Sequence, residues 1–289
     1  MKIKHALTTL PQYILPHHWL SGLMSKLTHC RVHWFKNAFI KLIIKLYGVN
    51  LSEAKSQNLD DYASFNDFFT RELKAGVRPV ALEKDAVVSP ADGAVSQAGA
   101  ITDDKIFQAK GMTFSAVDLL GGDTERAAAF KDGVFSTIYL SPKDYHRLHM
   151  PLDGKLTEMV HIPGRLFSVN AATAESVPGL FARNERVACL FDTEAGPMAL
   201  VLVGAIFVSS VETVWQGVVT PPTAPSVRSW HYDDQNILLK KGEEMGRFNM
   251  GSTIIILFGK NKVAWEKDLH AGKTVKLGEK IGHILNLQK

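Results

Sequence analysis

Three stretches of the chain hold the side chains best suited to chemistry. The first is Met250-Gly251-Ser252-Thr253, which runs straight into Ile254-Ile255-Ile256-Leu257-Phe258. A β-branched apolar run of that length predicts a buried strand and places Ser252 at its mouth, at the end of a turn. The second is Asp144-Tyr145-His146-Arg147-Leu148-His149-Met150-Pro151, and the third is Ser89-Pro90-Ala91-Asp92-Gly93-Ala94-Val95. A serine hydroxyl is a weak nucleophile until a base takes its proton. Histidine suits that work near neutral pH, and an Asp can orient the histidine and stabilise its charged form. Each stretch also has a plainer reading. Gly-Ser-Thr arises in many turns, Asp-Gly after Pro is a common turn, and both histidines fit a polar turn. Two histidines three residues apart could share a metal from one helical face. No further His or Cys lies nearby at familiar ligand spacing, so no metal is expected.

The elements that must position these groups follow from composition and pattern. With 289 residues, 46% hydrophobic and 21% charged, the chain can bury one substantial core or two small ones. A mean hydropathy of -0.01 excludes a bundle of membrane spans. Cys30 and Cys189 are the two cysteines, which indicates a reducing compartment and no disulfide framework. From Val80 onward short apolar runs alternate with Gly, Pro and Asp turns. Residues 86–89, 93–96, 134–140, 198–208 and 254–258 predict strands of a β-rich domain. Leu277 to Gly282 predicts a turn before a closing strand, and Phe65 to Leu73 a short amphipathic helix.

The first 50 residues differ from the rest. They carry Lys2, Lys4, Lys26, Arg31, Lys36, Lys41 and Lys45 with no Asp or Glu. Removing those seven from the 33 basic residues of the chain leaves 26 against 29 acidic ones, so the remainder is net negative. An anionic membrane surface explains that asymmetry better than nucleic acid does. Two helices are expected here. One begins near Pro16 and aligns Trp19, Leu20, Leu23, Met24 and Leu27; the other runs from Trp34 to Tyr47. The second is too short and too interrupted by Lys36, Lys41 and Lys45 to cross a bilayer. A helix lying in the interface, with its lysines reaching the headgroups, fits better. The alternative is that both apolar stripes pack on the protein's own core. The segment lacks the apolar stretch and cleavage site of a secretory signal, and with one Arg and few Ser it is a poor mitochondrial transit peptide.

In their order along the chain, several motifs together resemble the phosphatidylserine decarboxylase family. They are Phe65 to Leu73, Pro90 to Gly93, Asp144 to Pro151, His161-Ile162-Pro163-Gly164, Asn184-Glu185-Arg186, Val203-Gly204-Ala205, and Gly242-Glu243-Glu244 leading to Gly251-Ser252-Thr253. The resemblance spans nearly the whole chain. Met250 stands where the family often has Leu, a volume-conserving change, and Ser209 stands where a second glycine is frequent.

The resemblance implies an α+β architecture: membrane-associating helices over 1–50, then a β-rich, sandwich- or hybrid-barrel-like catalytic domain over 51–289. It implies a proenzyme that cuts itself between Gly251 and Ser252, giving a β chain, 1–251, and an α chain, 252–289. Asp92, His149 and Ser252 match the relay that makes the cut. Ser252 then becomes a covalent pyruvoyl group, the cofactor, which forms a Schiff base with phosphatidylserine. Carbon dioxide and phosphatidylethanolamine leave, with His146 the candidate to assist decarboxylation or reprotonation. The implied partners are phosphatidylserine in an anionic membrane, the two chains with each other, and a homodimer of that pair, with no nucleic acid. The implied location is peripheral, on the cytoplasmic face of a bacterial cell membrane. Two rival readings stand beside it. A Ser-His-Asp hydrolase would keep Ser252 as a permanent nucleophile in an intact chain. A non-enzymatic lipoyl- or carrier-like β module would need a modifiable residue at a hairpin tip, and no Glu-Met-Lys-type signature is present.

Overall fold

A computed structural model describes residues 9–207, 210–251 and 253–285. The architecture is α+β, as expected: helices at the start, then a strand-rich body. Among the described residues the largest sheet has nine strands, all paired antiparallel. Its central path runs Gly154–Ile162, Arg186–Thr193, Gly196–Val203, Thr253–Phe258, Val134–Tyr139, Gly93–Ala100.

The strand Thr253–Phe258 lies in the middle of that path and is buried along its whole length. Ile254, Ile256 and Phe258 face one apolar cluster, while Ile255 and Leu257 face another. A strand covered on both faces has no use for polar alternation, which is why the sequence reads as a continuous apolar run. On the first face, smaller sheets contribute Val87, Leu148, Met245 and Ile281. On the second, short helices and a hairpin contribute Phe114, Leu119, Phe130 and Phe181.

The expected run over 198–208 ends as a strand at Val203. There Asn184 donates from Nδ2 to the carbonyls of Phe167 and Gly204, turning the chain away from the sheet. The motifs around His161 and Glu185 brace the same corner. His161 Nε2 bonds Glu185 Oε1 at 2.8 Å, and Thr220 donates to the same oxygen at 3.0 Å.

Helix α1, His17–Thr28, is followed by α2, His33–Tyr47, and α3, Phe65–Phe69. The two N-terminal helices fall where the sequence put them. Helix α3 is shorter than the Phe65 to Leu73 expectation. Ser64 caps its start by accepting from Asp67 N–H, but the chain leaves the helix at Thr70 and Leu73 bridges to Ala54. Buried Arg71 is drawn to the Lys143 carbonyl, so tertiary contacts replace the last helical turn. Lys36 also departs from expectation. It is buried, and its ammonium donates to Asn37 Oδ1 and the Leu59 carbonyl, both at 2.8 Å. Lys41 and Lys45 remain exposed.

Helix α1 is inside out by the standards of a water-soluble surface helix. His17, Ser21 and Thr28 are its buried residues, whereas Trp19 is 67% exposed and Leu23 and Leu27 also face outward. Its polar side is tied down: His17 Nδ1 accepts from Leu166 N–H at 3.2 Å, and Ser21 Oγ accepts from Phe207 N–H at 3.2 Å. Just before it, Gln12 Oε1 accepts from Ser168 N–H at 2.8 Å.

Candidate active site

The Asp144 to Pro151 run holds its two histidines in different ways. Asp144 closes a turn by accepting from the N–H and Oγ of Ser141, both at 2.7 Å. His146 follows, fully buried, and its Nδ1–H donates to the Asp144 carbonyl at 2.8 Å. That bond leaves Nε2 with its lone pair, and this buried atom has no protein partner among the described residues. The ring lies against Phe69 of α3, with centroids 4.0 Å apart. Burial pushes the His146 pKa down to about 3, so the ring is neutral at physiological pH.

Nε2 of His146 is aimed at Gly251. A Cβ built on that glycine would stand 3.3 Å from Nε2 and 3.5 Å from the Leu140 carbonyl. Gly251 therefore brings a bare backbone up to the histidine. The preceding residue, Met250, has φ +105°, a conformation that costs a non-glycine residue energy and persists only where neighbours impose it. Those neighbours are visible. Asn66 of α3 donates to Asn249 Oδ1 at 3.1 Å, and Asn249 donates to Ser210 Oγ at 2.9 Å. Ser252 lies outside the described residues, so its two flanks, Gly251 and Thr253, mark the place.

His149 lies on the short strand Arg147–His149, which pairs with Glu244–Phe248. Its Nδ1–H donates to the Gly242 carbonyl at 2.8 Å, and Tyr145 Oη bonds its Nε2 at 3.3 Å. Burial lowers its pKa. The same burial pushes Tyr145 up to about 12, so that hydroxyl keeps its proton.

Asp92 comes close to His149 through the backbone: Pro90 O accepts from His149 N–H at 2.9 Å. The Asp92 carboxylate has other partners. Arg78 grips it with Nε at 2.8 Å from Oδ1 and Nη2 at 2.6 Å from Oδ2, and Leu277 N–H donates to Oδ1 at 2.9 Å. The structure thus brings His146 to Gly251 and places Asp92 beside the His149 backbone. It holds the Asp92 carboxylate on Arg78 and the His149 ring on Gly242 and Tyr145.

A cavity of about 430 Å³ adjoins Gly251. Its walls include Ile43 and Tyr47 of α2, Phe65 and Phe69 of α3, and Ile206 and Phe207. The wall is mainly apolar, and α2, one of the helices exposing apolar side chains outward, forms part of it.

Sequence reasoning missed Arg78, Tyr145, Asn66 and Phe69 as site residues. Asn66, Phe69 and Tyr145 sit inside stretches already singled out, where their partners are up to 183 residues away. Arg78 lies in an irregular connection with no periodicity to mark it.

The site and fold together define an α+β protein with a neutral buried histidine against a glycine backbone, under an apolar cavity walled partly by outward-apolar helices. The comparisons agree on its family. A family model described as phosphatidylserine decarboxylase matches residues 65–283, and a second, described as PSD, matches residues 7–48. The chain is 57% identical over 284 residues to the phosphatidylserine decarboxylase proenzyme of Ectopseudomonas mendocina, covering 97% of this chain and 99% of that one. It is 57% identical over 282 residues to the proenzyme of that name from Pseudomonas putida strain F1, covering 96% and 98%. For the one from Pseudomonas fluorescens strain Pf0-1, identity is 56% over 280 residues, covering 96% and 98%. The chain belongs to the phosphatidylserine decarboxylase family.

Proposed function

We propose that this chain is a phosphatidylserine decarboxylase that matures by cutting itself before Ser252. The observation that carries the reading is the buried Nε2 of His146, unpartnered among the described residues and aimed at Gly251 beside an apolar cavity. Orphaned buried nitrogens are costly, and in a family of decarboxylases this one has work to do.

Maturation uses the chain's own residues. His149, neutral with Nδ1–H held by Gly242, offers Nε2 as the base for the Ser252 hydroxyl in exchange for its 3.3 Å bond from Tyr145 Oη. The Ser252 oxygen adds to the Gly251 carbonyl carbon. The proton passes to the Ser252 nitrogen as the C–N bond breaks, leaving an ester. Removal of the Ser252 α-proton then expels the Gly251 carboxylate. Water replaces the nitrogen, releasing ammonia and leaving a pyruvoyl group on the new N-terminus. Gly251 aids this sequence because no side chain blocks approach to its carbonyl.

The surroundings of Gly251 suit such a group: a proton carrier at Nε2, an apolar wall that excludes water, and no competing side chain on the glycine. The pyruvoyl group supplies a conjugated carbonyl that accepts the electrons released as carbon dioxide leaves. The lone pair at His146 Nε2 takes a proton from the substrate ammonium and returns it to the reacting carbon, and Tyr47, Ile43 and Phe207 line the cavity. The α chain, residues 252–289, begins with the central strand Thr253–Phe258. Hydrogen bonds to both neighbouring strands keep it in place after the cut.

The outward apolar side chains of the N-terminal segment, Ile14 just before α1 (88% exposed), Trp19 of α1 and Trp34 of α2 (73% exposed), dock the enzyme on its lipid substrate's membrane. Acid-free surroundings and Lys26, Lys41 and Lys45 favour an anionic surface. No helix of the described residues is long and apolar enough to cross a membrane. Attachment is expected to be peripheral, at the cytoplasmic face. The active species is expected to be a dimer of the α–β pair.

Denaturing gels with intact-mass measurement test the reading. The purified chain of 31.9 kDa should appear as two fragments, the smaller starting at residue 252 with a blocked N-terminus. It should release carbon dioxide from phosphatidylserine. Ser252→Ala should stay whole and inactive; an intact wild-type chain, or efficient cutting of Ser252→Ala, defeats the proposal.

A further inference from the structure

We infer that Arg78 is a positioning residue for self-cleavage, acting through Asp92 and through the segment it begins, residues 78–81. The inference rests on the self-cleavage reading above and adds a part to it. The Arg78 guanidinium is almost fully committed. Nε and Nη2 take both oxygens of Asp92, Nη2 also takes Glu53 Oε2 at 2.6 Å, and Nη1 donates to the Val77 carbonyl at 2.9 Å. The Arg78 and Asp92 side chains are 7% and 9% exposed. A buried pair of this kind is costly to break from one side, because the remaining charge is left without a partner.

The Asp92 carboxylate joins two parts of the centre, and the backbone just before it reaches a third. Arg78 comes from the connection before the first strand. Leu277, whose N–H Asp92 accepts, lies in the segment that becomes the α chain. Two residues before Asp92, the Pro90 carbonyl holds the His149 backbone. The residues after Arg78 press on the turns that complete the arrangement. Gly242, whose carbonyl fixes the His149 ring, has φ +84°, and a Cβ there would meet Val80 Cγ2 at 2.7 Å. Gly278 has φ +83°, a Cβ there would meet the Pro79 carbonyl at 2.6 Å, and its own carbonyl accepts from Ala81 N–H at 3.0 Å. Residues 78–81 are therefore wedged between the turn that sets the His149 tautomer and the turn that seats the α chain. Arg78 anchors the wedge. Its effect on chemistry is the placement of Nε2 of His149 relative to the bond being cut.

The test follows conversion of newly made full-length chain into two fragments, by cell-free synthesis, chase and denaturing gel. Arg78→Met is expected to slow conversion on the order of ten- to a hundredfold, the scale of a misplacement near 1 Å. Arg78→Lys keeps the charge but loses the two-pronged grip, and is expected to slow it less. Millimolar guanidinium ion should restore part of the Arg78→Met rate. Arg126→Met is the control: it removes another largely buried pair, Arg126 with Glu158 at 2.5 Å, and should lower Tm with conversion unchanged. Wild-type rates in both Arg78 variants overturn the inference, as does slowing that Arg126→Met reproduces at equal loss of Tm. If Arg78→Met does not fold, Arg78→Lys decides: slow conversion at wild-type Tm supports the inference and wild-type conversion overturns it. A wild-type chain that stays whole instead overturns self-cleavage itself, and this inference with it.

Discussion

Two apolar segments of this protein meet opposite fates. The strand Thr253–Phe258 is buried along its length, between neighbours on both sides and clusters on both faces. Helix α1 has an apolar stripe as well, yet it turns His17, Ser21 and Thr28 inward and leaves Trp19, Leu23 and Leu27 outside. The hydrophobic effect is non-directional: it removes apolar surface from water without saying into what. For the strand, the receiving medium is the protein's own core. For α1 the inner surface is already polar, with the Leu166 and Phe207 N–H groups waiting for acceptors, so the apolar face is left for another medium.

The largest expected effect separates the two directly. Changing Trp19, Leu23 and Leu27 together to Ser removes about 1.5–3 kcal/mol of apolar burial per side chain if they enter lipid. Co-sedimentation with anionic liposomes should fall by at least a hundredfold in partition coefficient while Tm in detergent-free buffer holds or rises. A fall in Tm with unchanged liposome binding would mean that α1 packs on protein after all. In the strand, Ile256→Ala should behave oppositely. It should cost about 2–5 kcal/mol of stability by transfer and cavity terms, read by denaturant unfolding of the Ser252→Ala chain, with liposome binding unchanged at temperatures where the fold persists.

Acid sharpens the comparison further. Burial holds His146 at about 3 in the fold, against an ordinary value of 6.5, and lowers His17 as well, with nearby Arg165 adding to the effect. Between those limits the unfolded chain binds more protons than the folded one. Stability due to His146 is therefore fully present above 6.5 and is lost as pH falls toward 3, by up to about 1.4 kcal/mol per pH unit. His17 contributes in the same direction on the polar side of α1. Denaturation midpoints of the Ser252→Ala chain measured across that window should fall with pH, and adding His146→Gln should flatten the curve; a curve unchanged by that substitution would assign the acid sensitivity elsewhere. The smallest effect belongs to the charges. Lys41→Gln and Lys45→Gln should each weaken binding to anionic liposomes by about 1 kcal/mol at low salt, with little difference at high salt.

Much of this protein was legible in the chain because the signals are local. The two N-terminal helices, the strand after residue 252 and the turn before the closing strand each follow from spacing within a dozen residues. So did the interest of His146, His149 and Asp92 as residue types. The ends of elements were less legible: α3 stops at Phe69 because Arg71 is drawn to the Lys143 carbonyl, a contact 72 residues distant. Lys36 looked like a surface charge because nothing in its helix foretells the Leu59 carbonyl that receives it.

The sequence by itself determined the order of helices and strands, the basic acid-free start, the buried strand behind Ser252 and the residues able to do chemistry. These depend on the period of apolar residues and on side-chain type, both of which are properties of short stretches. Tertiary structure alone decided which histidine nitrogen faces Gly251, that Arg78 rather than His149 holds the Asp92 carboxylate, and which face of α1 is left outside. Those outcomes depend on what a distant segment offers to a buried donor, acceptor or charge. Such partners are chosen when the chain closes on itself, and no local pattern encodes the choice.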